Sequence, residues 1–138
     1  MALYTATATS TGGRNGHTKS HDGVIDMPLS IPKSMGGEGK PGATNPEELF
    51  ACGYSACFGQ ALMVVAGQHK LKPQQIQVTA EVSIDKKPEG GFILATVLTG
   101  HLPGISQDEA RTLMDEAHKI CPYSNATRGN MNVELRVA

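Results

Sequence analysis

The chain has 138 residues, with 12 Lys and Arg against 13 Asp and Glu, for a formal net charge of −1. That length fits one domain over residues 1–138, and the near-neutral charge makes no overall case for nucleic acid or an anionic membrane as partner. The longest strongly apolar run, residues 61–67, is too short to span a bilayer, and the opening MALYTATATS lacks the basic segment and apolar core of a secretory signal.

Three cysteines cannot all pair with one another. This argues against a secreted disulfide framework and for a cytoplasmic setting, where cysteines more often serve catalysis or redox sensing. Aromatic residues make up 4% of the chain and Trp is absent, so the core is expected to consist of aliphatics, Ala and Met. A core that lean is marginal alone and predicts an obligate homodimer.

In chain order, residues 2–9 are Thr-rich and alternate, as a strand does. Gly12-Gly13-Arg14-Asn15-Gly16 reads as a turn, residues 17–21 as a second strand, Asp22-Gly23 as a hairpin and residues 24–29 as a third strand. Residues 31–45, dense in Gly, Pro, Ser and Lys, read as a long loop, and such loops are commonly functional or mobile. Asn45, Pro46 and Glu48 form a helix start with Pro at the first position and a reciprocal capping box. From residue 49 to 66 nearly every position is apolar or small, the pattern of a helix buried on all sides. Ile76, Val78, Ala80, Val82 and Ile84 then alternate with polar residues as a half-buried strand. A turn at 86–91 returns the chain as a strand over 92–102. Ser106 and Glu109 cap a second helix that Pro122 should stop, and Met131, Val133, Leu135 and Val137 mark a last strand. The reading is an α+β domain of order βββ-α-ββ-α-β with antiparallel sheets around central buried helices.

Chemistry centres on Cys57 in the first helix and Cys121 at the end of the second. On pattern alone, a cysteine on an apolar helix is a small hydrophobe as readily as a nucleophile. Apolar surroundings raise the pKa of Cys57, and Cys121 at a helix C-terminus faces negative potential. An attacking Cys57 thiolate therefore needs a cation. Arg14 is the best candidate, because its guanidinium stays charged and offers directed donors. Otherwise Arg14 is a solvated turn residue. Glu47 would hold a buried Arg14, or it simply complements the helix dipole.

Residues 44–58, TNPEELFACGYSACF, resemble the central-helix signature of the organic hydroperoxide resistance (Ohr) proteins of the Ohr/OsmC family. GGRNG at 12–16 is similar to that family's arginine turn, and CPYSNATRGN at 121–130 to its second-cysteine segment. The three segments occur in matching order along the whole chain. The resemblance implies an intertwined homodimer of Ohr/OsmC fold. It also implies a thiol-dependent peroxidase that reduces alkyl and fatty-acid hydroperoxides to alcohols under oxidative stress. Cys57 matches the peroxidatic cysteine, Cys121 the resolving cysteine, Arg14 the thiolate-activating arginine and Glu47 the carboxylate that orients it. No metal or prosthetic group is implied. Reducing equivalents come from a dithiol, the dihydrolipoyl groups of a lipoylated protein. Cys52 matches no family position and reads as buried packing.

Leu49, Phe50, Tyr54, Phe58 and the loop over 31–41 are expected to form an apolar wall that favours alkyl hydroperoxides over hydrogen peroxide. Glu47 and Cys57 stand ten residues apart on one helix, about 15 Å along its axis at ~1.5 Å per residue. One Arg does not span that distance, so Glu47 is expected to serve Cys57 of the partner subunit. The rival readings are an OsmC-type peroxidase of broader substrate range and a non-catalytic dimer that binds apolar ligands. A metal-binding module is disfavoured by scattered histidines and the lack of paired-ligand spacing.

Overall fold

Turn chemistry sets up the first three strands. In the computed structural model, which describes residues 1–138, β1 (Ala8–Thr11), β2 (His17–Ser20) and β3 (Asp26–Pro28) form an antiparallel sheet in sequence order. The strand expected over 2–9 begins later, at Ala8, and the other two are shorter than read. Gly12 and Gly13 adopt φ of 78° and 61°, the left-handed region that costs other residues energy. They let the chain close a 3₁₀ turn over Gly13–Asn15 between β1 and β2.

The segment expected to be a structureless loop is folded. It carries a 3₁₀ turn over Lys33–Met35 and is tied off at its base. The Ser30 N–H donates to the Thr44 carbonyl at 3.0 Å, and the Thr44 N–H to the Pro28 carbonyl at 2.9 Å. At its far end, the Lys40 N–H reaches the Ser30 hydroxyl at 3.0 Å.

Length alone points to one domain. The contacts divide the chain into two compact units, Met1–Leu49 and Phe50–Ala138, and the first helix, α1 (Pro46–Gln68), runs through the division. The second unit adds β4 (Gln77–Lys86), β5 (Phe92–His101), α2 (Gln107–Ile120), α3 (Pro122–Thr127) and β6 (Asn132–Val137). The α+β order βββ-α-ββ-α-β is therefore present, with α3 as an extra short helix. β4 and β5 pair antiparallel from Gln77↔His101 to Lys86↔Phe92. β6 departs from the all-antiparallel expectation: it pairs parallel to β5, from Ala95↔Asn132 to Gly100↔Val137. The physical reason is the connection. The chain crosses from β5 to β6 through two helices, and a helical crossover returns the strand in the same direction.

The core of this unit lies between α1, α2 and the sheet. Tyr54, Phe58, Leu62 and Val65 of α1 pack with Leu98 of β5 and with Leu113, Met114 and Ala117 of α2. In length and apolarity α1 would suffice to cross a membrane, which the seven-residue run used above understates; here one of its faces is core. Within one chain it is not buried all round. Met63 and Val64 are 57% and 42% exposed, and Cys52 and Ala56 are also open. Along β4 the expected alternation holds, with Val78, Ala80, Val82 and Ile84 half-buried and the intervening residues exposed.

Leu98 is fully buried at the centre of the sheet. Leu98→Ala is expected to lower the unfolding free energy by about 2–5 kcal/mol, read as a lower urea midpoint with an unchanged denaturant slope.

Candidate active site

Two clusters gather the residues singled out in the sequence. In the first unit, the turn between β1 and β2 presents Arg14. Its side chain meets Glu47 in a two-pronged ion pair, Nη1 to Oε2 at 2.8 Å and Nη2 to Oε1 at 2.6 Å. The turn is braced from behind, since Asn15 Oδ1 accepts the Ile31 N–H at 3.0 Å and the Gly16 carbonyl accepts the Leu29 N–H at 2.8 Å.

Glu47 stands in the first turn of α1, where the helix dipole favours a negative charge. Asn45 Oδ1 caps that turn by accepting the Glu48 N–H at 2.8 Å. The capping box is not reciprocal as expected: the Glu48 carboxylate accepts the Thr44 hydroxyl at 2.8 Å. Arg14 holds the Glu47 carboxyl below its usual range, chiefly by donating hydrogen bonds to it, against an opposing contribution from burial. The Glu47 side chain is 12% exposed and that of Arg14 34%.

In the second unit, Cys57 of α1 and Cys121 approach to 3.6 Å, sulfur to sulfur, both as free thiols. Cys121 is fully buried and Cys57 is half-buried. A disulfide bond is about 2.05 Å long, so a small movement closes the gap. Cys121 does not sit at a simple helix C-terminus. Its N–H donates to the Ala117 carbonyl at 2.8 Å as the last bond of α2, while its own carbonyl accepts the Asn125 N–H at 2.9 Å as the first bond of α3. Its ψ of 124° turns the chain between the two helices. Pro122, read as a helix stop, occupies the first position of α3, where its fixed φ suits a helix start.

Tyr123, not among the site residues expected from sequence, meets α1 at two places, with its backbone N–H at Cys57 and its ring at Gly53. Burial pushes the Cys57 thiol up, the Tyr123 backbone N–H pulls it down by favouring the thiolate, and the adjacent Cys121 pushes it up again. The Tyr123 ring also lies on α1 over Gly53. A Cβ at Gly53 would stand 2.5 Å from the phenol oxygen. A glycine in mid-helix costs roughly 1 kcal/mol, and this one was the available sequence signal that a side chain crosses the helix one turn before Cys57.

The aromatic residues expected to form a wall divide by exposure. Tyr54 and Phe58 are wholly buried. Phe50 is half-buried; it stacks edge-on against Tyr54 and Tyr123, with centroids 5.9 Å away in each case. Phe50 also lines an open groove with the apolar Phe92, Ile93 and Leu94 and the polar Lys87, Thr127 and Asn130. Leu49 is half-buried at the end of the first unit. Cys52, expected as buried packing, is exposed on α1. The composition of an apolar helix does not reveal which of its faces the fold covers.

Residues 37–136 match the family described as OsmC-like protein. The organic hydroperoxide resistance protein of Xanthomonas axonopodis pv. citri (strain 306) is 50% identical over 137 residues, covering 99% of this chain and 95% of that protein. The chain belongs to the organic hydroperoxide resistance group of the OsmC-like family. Solved structures of the group agree with the fold. The organic hydroperoxide resistance protein OsmC of Legionella pneumophila superposes with a TM-score of 0.93 at 48% identity, covering 100% of this chain and 99% of that one. OhrB of Bacillus subtilis gives a TM-score of 0.92 at 40% identity, covering 99% and 100%.

Two predictions follow from this geometry. Gly53→Ala is expected to drive the Tyr123 ring off α1, seen as increased accessibility and reactivity of Tyr123 to iodination. For Glu47 the folded-state pKa lies below the ordinary 4.5. The stabilisation it supplies is therefore present above that ordinary value and lost as pH falls through the lower folded one. The difference in melting temperature between the unsubstituted protein and Glu47→Gln should be constant near neutrality and shrink to nothing in acid.

Proposed function

We propose that the protein is a thiol peroxidase that reduces organic hydroperoxides to alcohols through Cys57 and Cys121. The observation that carries this reading is the sulfur pair itself, one thiol half-open and the other buried 3.6 Å behind it. The Cys57 thiolate attacks the outer oxygen of ROOH. An S–O bond forms, the O–O bond breaks, and the alkoxide takes a proton and leaves as ROH. Cys57 is then a sulfenic acid. The Cys121 sulfur displaces its hydroxyl, which leaves as water with the proton of the Cys121 thiol, and the product is a Cys57–Cys121 disulfide. A dithiol reduces that bond by exchange, and the reductant class proposed is the dihydrolipoyl group of a lipoylated protein. The reaction draws on no metal or prosthetic group.

Because burial disfavours the Cys57 thiolate, the reaction needs a positive charge at the sulfur. Arg14 fills that role in this reading, aimed by Glu47. Glu47 and Cys57 lie about 15 Å apart along α1 at ~1.5 Å per residue, which supports service to Cys57 of the partner subunit in a homodimer. The open Met63 and Val64 on α1 give such a dimer apolar surface to cover. Phe50 and the groove beside it suit an alkyl chain better than hydrogen peroxide. The proposed location is the cytoplasm, whose reducing thiols keep the pair in its reduced form.

Turnover of tert-butyl hydroperoxide against hydrogen peroxide, with dihydrolipoamide as reductant, tests the reading. The organic substrate should be preferred by at least tenfold, and Cys57→Ser should abolish turnover. Cys121→Ser should use one equivalent of peroxide to form the Cys57 sulfenic acid and a second to form sulfinic acid, which then accumulates. Turnover by Cys57→Ser equal to that of the unsubstituted protein would leave only the apolar-ligand-binding dimer. Arg14→Ala should raise the Cys57 thiol pKa and lower the peroxide rate at least tenfold with the fold retained; an unchanged thiol titration removes Arg14 from the mechanism.

A further inference from the structure

Behind the sulfur pair lies a chain of polar side chains that the peroxidase reading does not use. His118 Nδ1 and Ser124 Oγ are 2.7 Å apart, Ser124 Oγ and the Tyr54 hydroxyl 2.8 Å, and the Tyr54 hydroxyl and Thr127 Oγ1 3.3 Å. Thr127 Oγ1 donates in turn to the Ser124 carbonyl at 3.3 Å. Tyr54 and Ser124 are wholly buried and Thr127 is 6% exposed.

In the three side-chain contacts either partner can donate, the His118 tautomer setting its own end. Each hydroxyl has the one proton and two lone pairs needed to bond both of its neighbours.

The placement of these residues is what gives the chain a role. Tyr54 is three residues before Cys57 on α1, His118 is three before Cys121 on α2, and Ser124 is three after Cys121 on α3. A single hydrogen-bonded chain thus joins the three helices that carry or flank the two sulfurs. Apolar contacts among the same helices would permit small slides. Directed bonds at these lengths tie the α2–α3 corner, and Cys121 with it, to the turn of α1 that bears Cys57.

We propose that His118, Ser124, Tyr54 and Thr127 are positioning residues for Cys121, holding its sulfur in line to capture the Cys57 sulfenic acid before a second peroxide does. This rests on the peroxidase reading above and extends it to the resolving step. Neither His118 nor Ser124 lines the groove proposed for the substrate, so oxygen transfer to Cys57 proceeds at its own rate when either is substituted. Condensation of the two cysteines, which requires the 3.6 Å approach to close, depends on it.

The test separates the two steps in the full-length reduced protein. One equivalent of tert-butyl hydroperoxide is added, and quenched samples are assayed by mass spectrometry for dimedone-trapped sulfenic acid, disulfide and sulfinic acid. Ser124→Ala removes a hydroxyl with little change in shape. His118→Ala lies at a half-buried position and gives a second variant less exposed to folding failure. The expected result is oxidation of Cys57 within twofold of the unsubstituted protein, disulfide formation slowed at least tenfold, and sulfinic acid accumulating at peroxide excesses that the unsubstituted protein survives. A role limited to stability would lower the melting temperature and leave the ratio of the two rates unchanged. Disulfide formation within twofold of normal in the folded variants overturns the proposal while leaving the peroxidase reading intact. Failure of the unsubstituted protein to oxidise Cys57 overturns both.

Discussion

The 3.6 Å approach of Cys57 to Cys121 is the constraint around which the second unit is arranged. A cysteine in mid-helix lies far from the favourable potential of the helix N-terminus, and burial makes its anion costly. The structure answers locally. The chain breaks at Cys121 with ψ of 124° and restarts as α3. That restart turns the Tyr123 N–H toward the Cys57 side, where it favours the thiolate, and lays the Tyr123 ring on α1. The ring can lie there because Gly53 has no Cβ to obstruct it. One backbone N–H offsets only part of the burial cost, so the thiol remains raised overall. In the proposed peroxidase reading this deficit calls for a further positive charge, which is the role proposed for Arg14.

The Arg14–Glu47 pair is assembled by different means, from signals that are local in sequence. Positive-φ glycines shape the turn, and the helix start supplies a carboxylate that the dipole already favours. A guanidinium carries five N–H donors, of which the two bonds to Glu47 use one on each terminal nitrogen. Glu47 therefore orients Arg14 without exhausting it. The Arg14 side chain is 34% exposed against 12% for Glu47, so the carboxylate is the sequestered partner and the cation keeps an open side. Such an arrangement suits an arginine whose remaining donors are to meet a thiolate and a peroxide.

How much of this was legible in the sequence depended on whether the determining interaction was local. Strand alternation from Val78 to Ile84 and the Ser106 cap both appear as read, the former in a strand that starts at Gln77 and so leaves out Ile76, the latter with the Glu109 N–H donating to Ser106 Oγ at 3.2 Å. The three segments that resemble Ohr proteins gave the family before any fold was known. The parallel pairing of β6 was not legible, because strand alternation reveals which face is buried and not which neighbour is chosen. Pro122 does stop α2, with Cys121 extended at ψ 124°; that it also begins α3 was not legible, because a new helix after a proline depends on whether the residues that follow find a surface to pack on. Ser124 and Thr127 of α3 find one against Tyr54. The exposed face of α1, with Cys52 and Met63, was hidden by the uniform apolarity of that helix.

The polar chain of His118, Ser124, Tyr54 and Thr127 raises the question of why a lean core contains hydroxyls at all. Stability does not require them, since a fully satisfied buried polar network does about as well as apolar packing of the same volume and a broken one does worse. What directed bonds add is a single geometry. Apolar side chains accept many relative positions of three helices at similar energy, whereas a chain with every donor and acceptor matched accepts few. A site whose second step requires two sulfurs to travel little more than a bond length has more use for a fixed geometry than for extra stability. Tyr54 stands one helical turn from Cys57, and His118 and Ser124 each three residues from Cys121, where such fixity bears most directly on the two sulfurs.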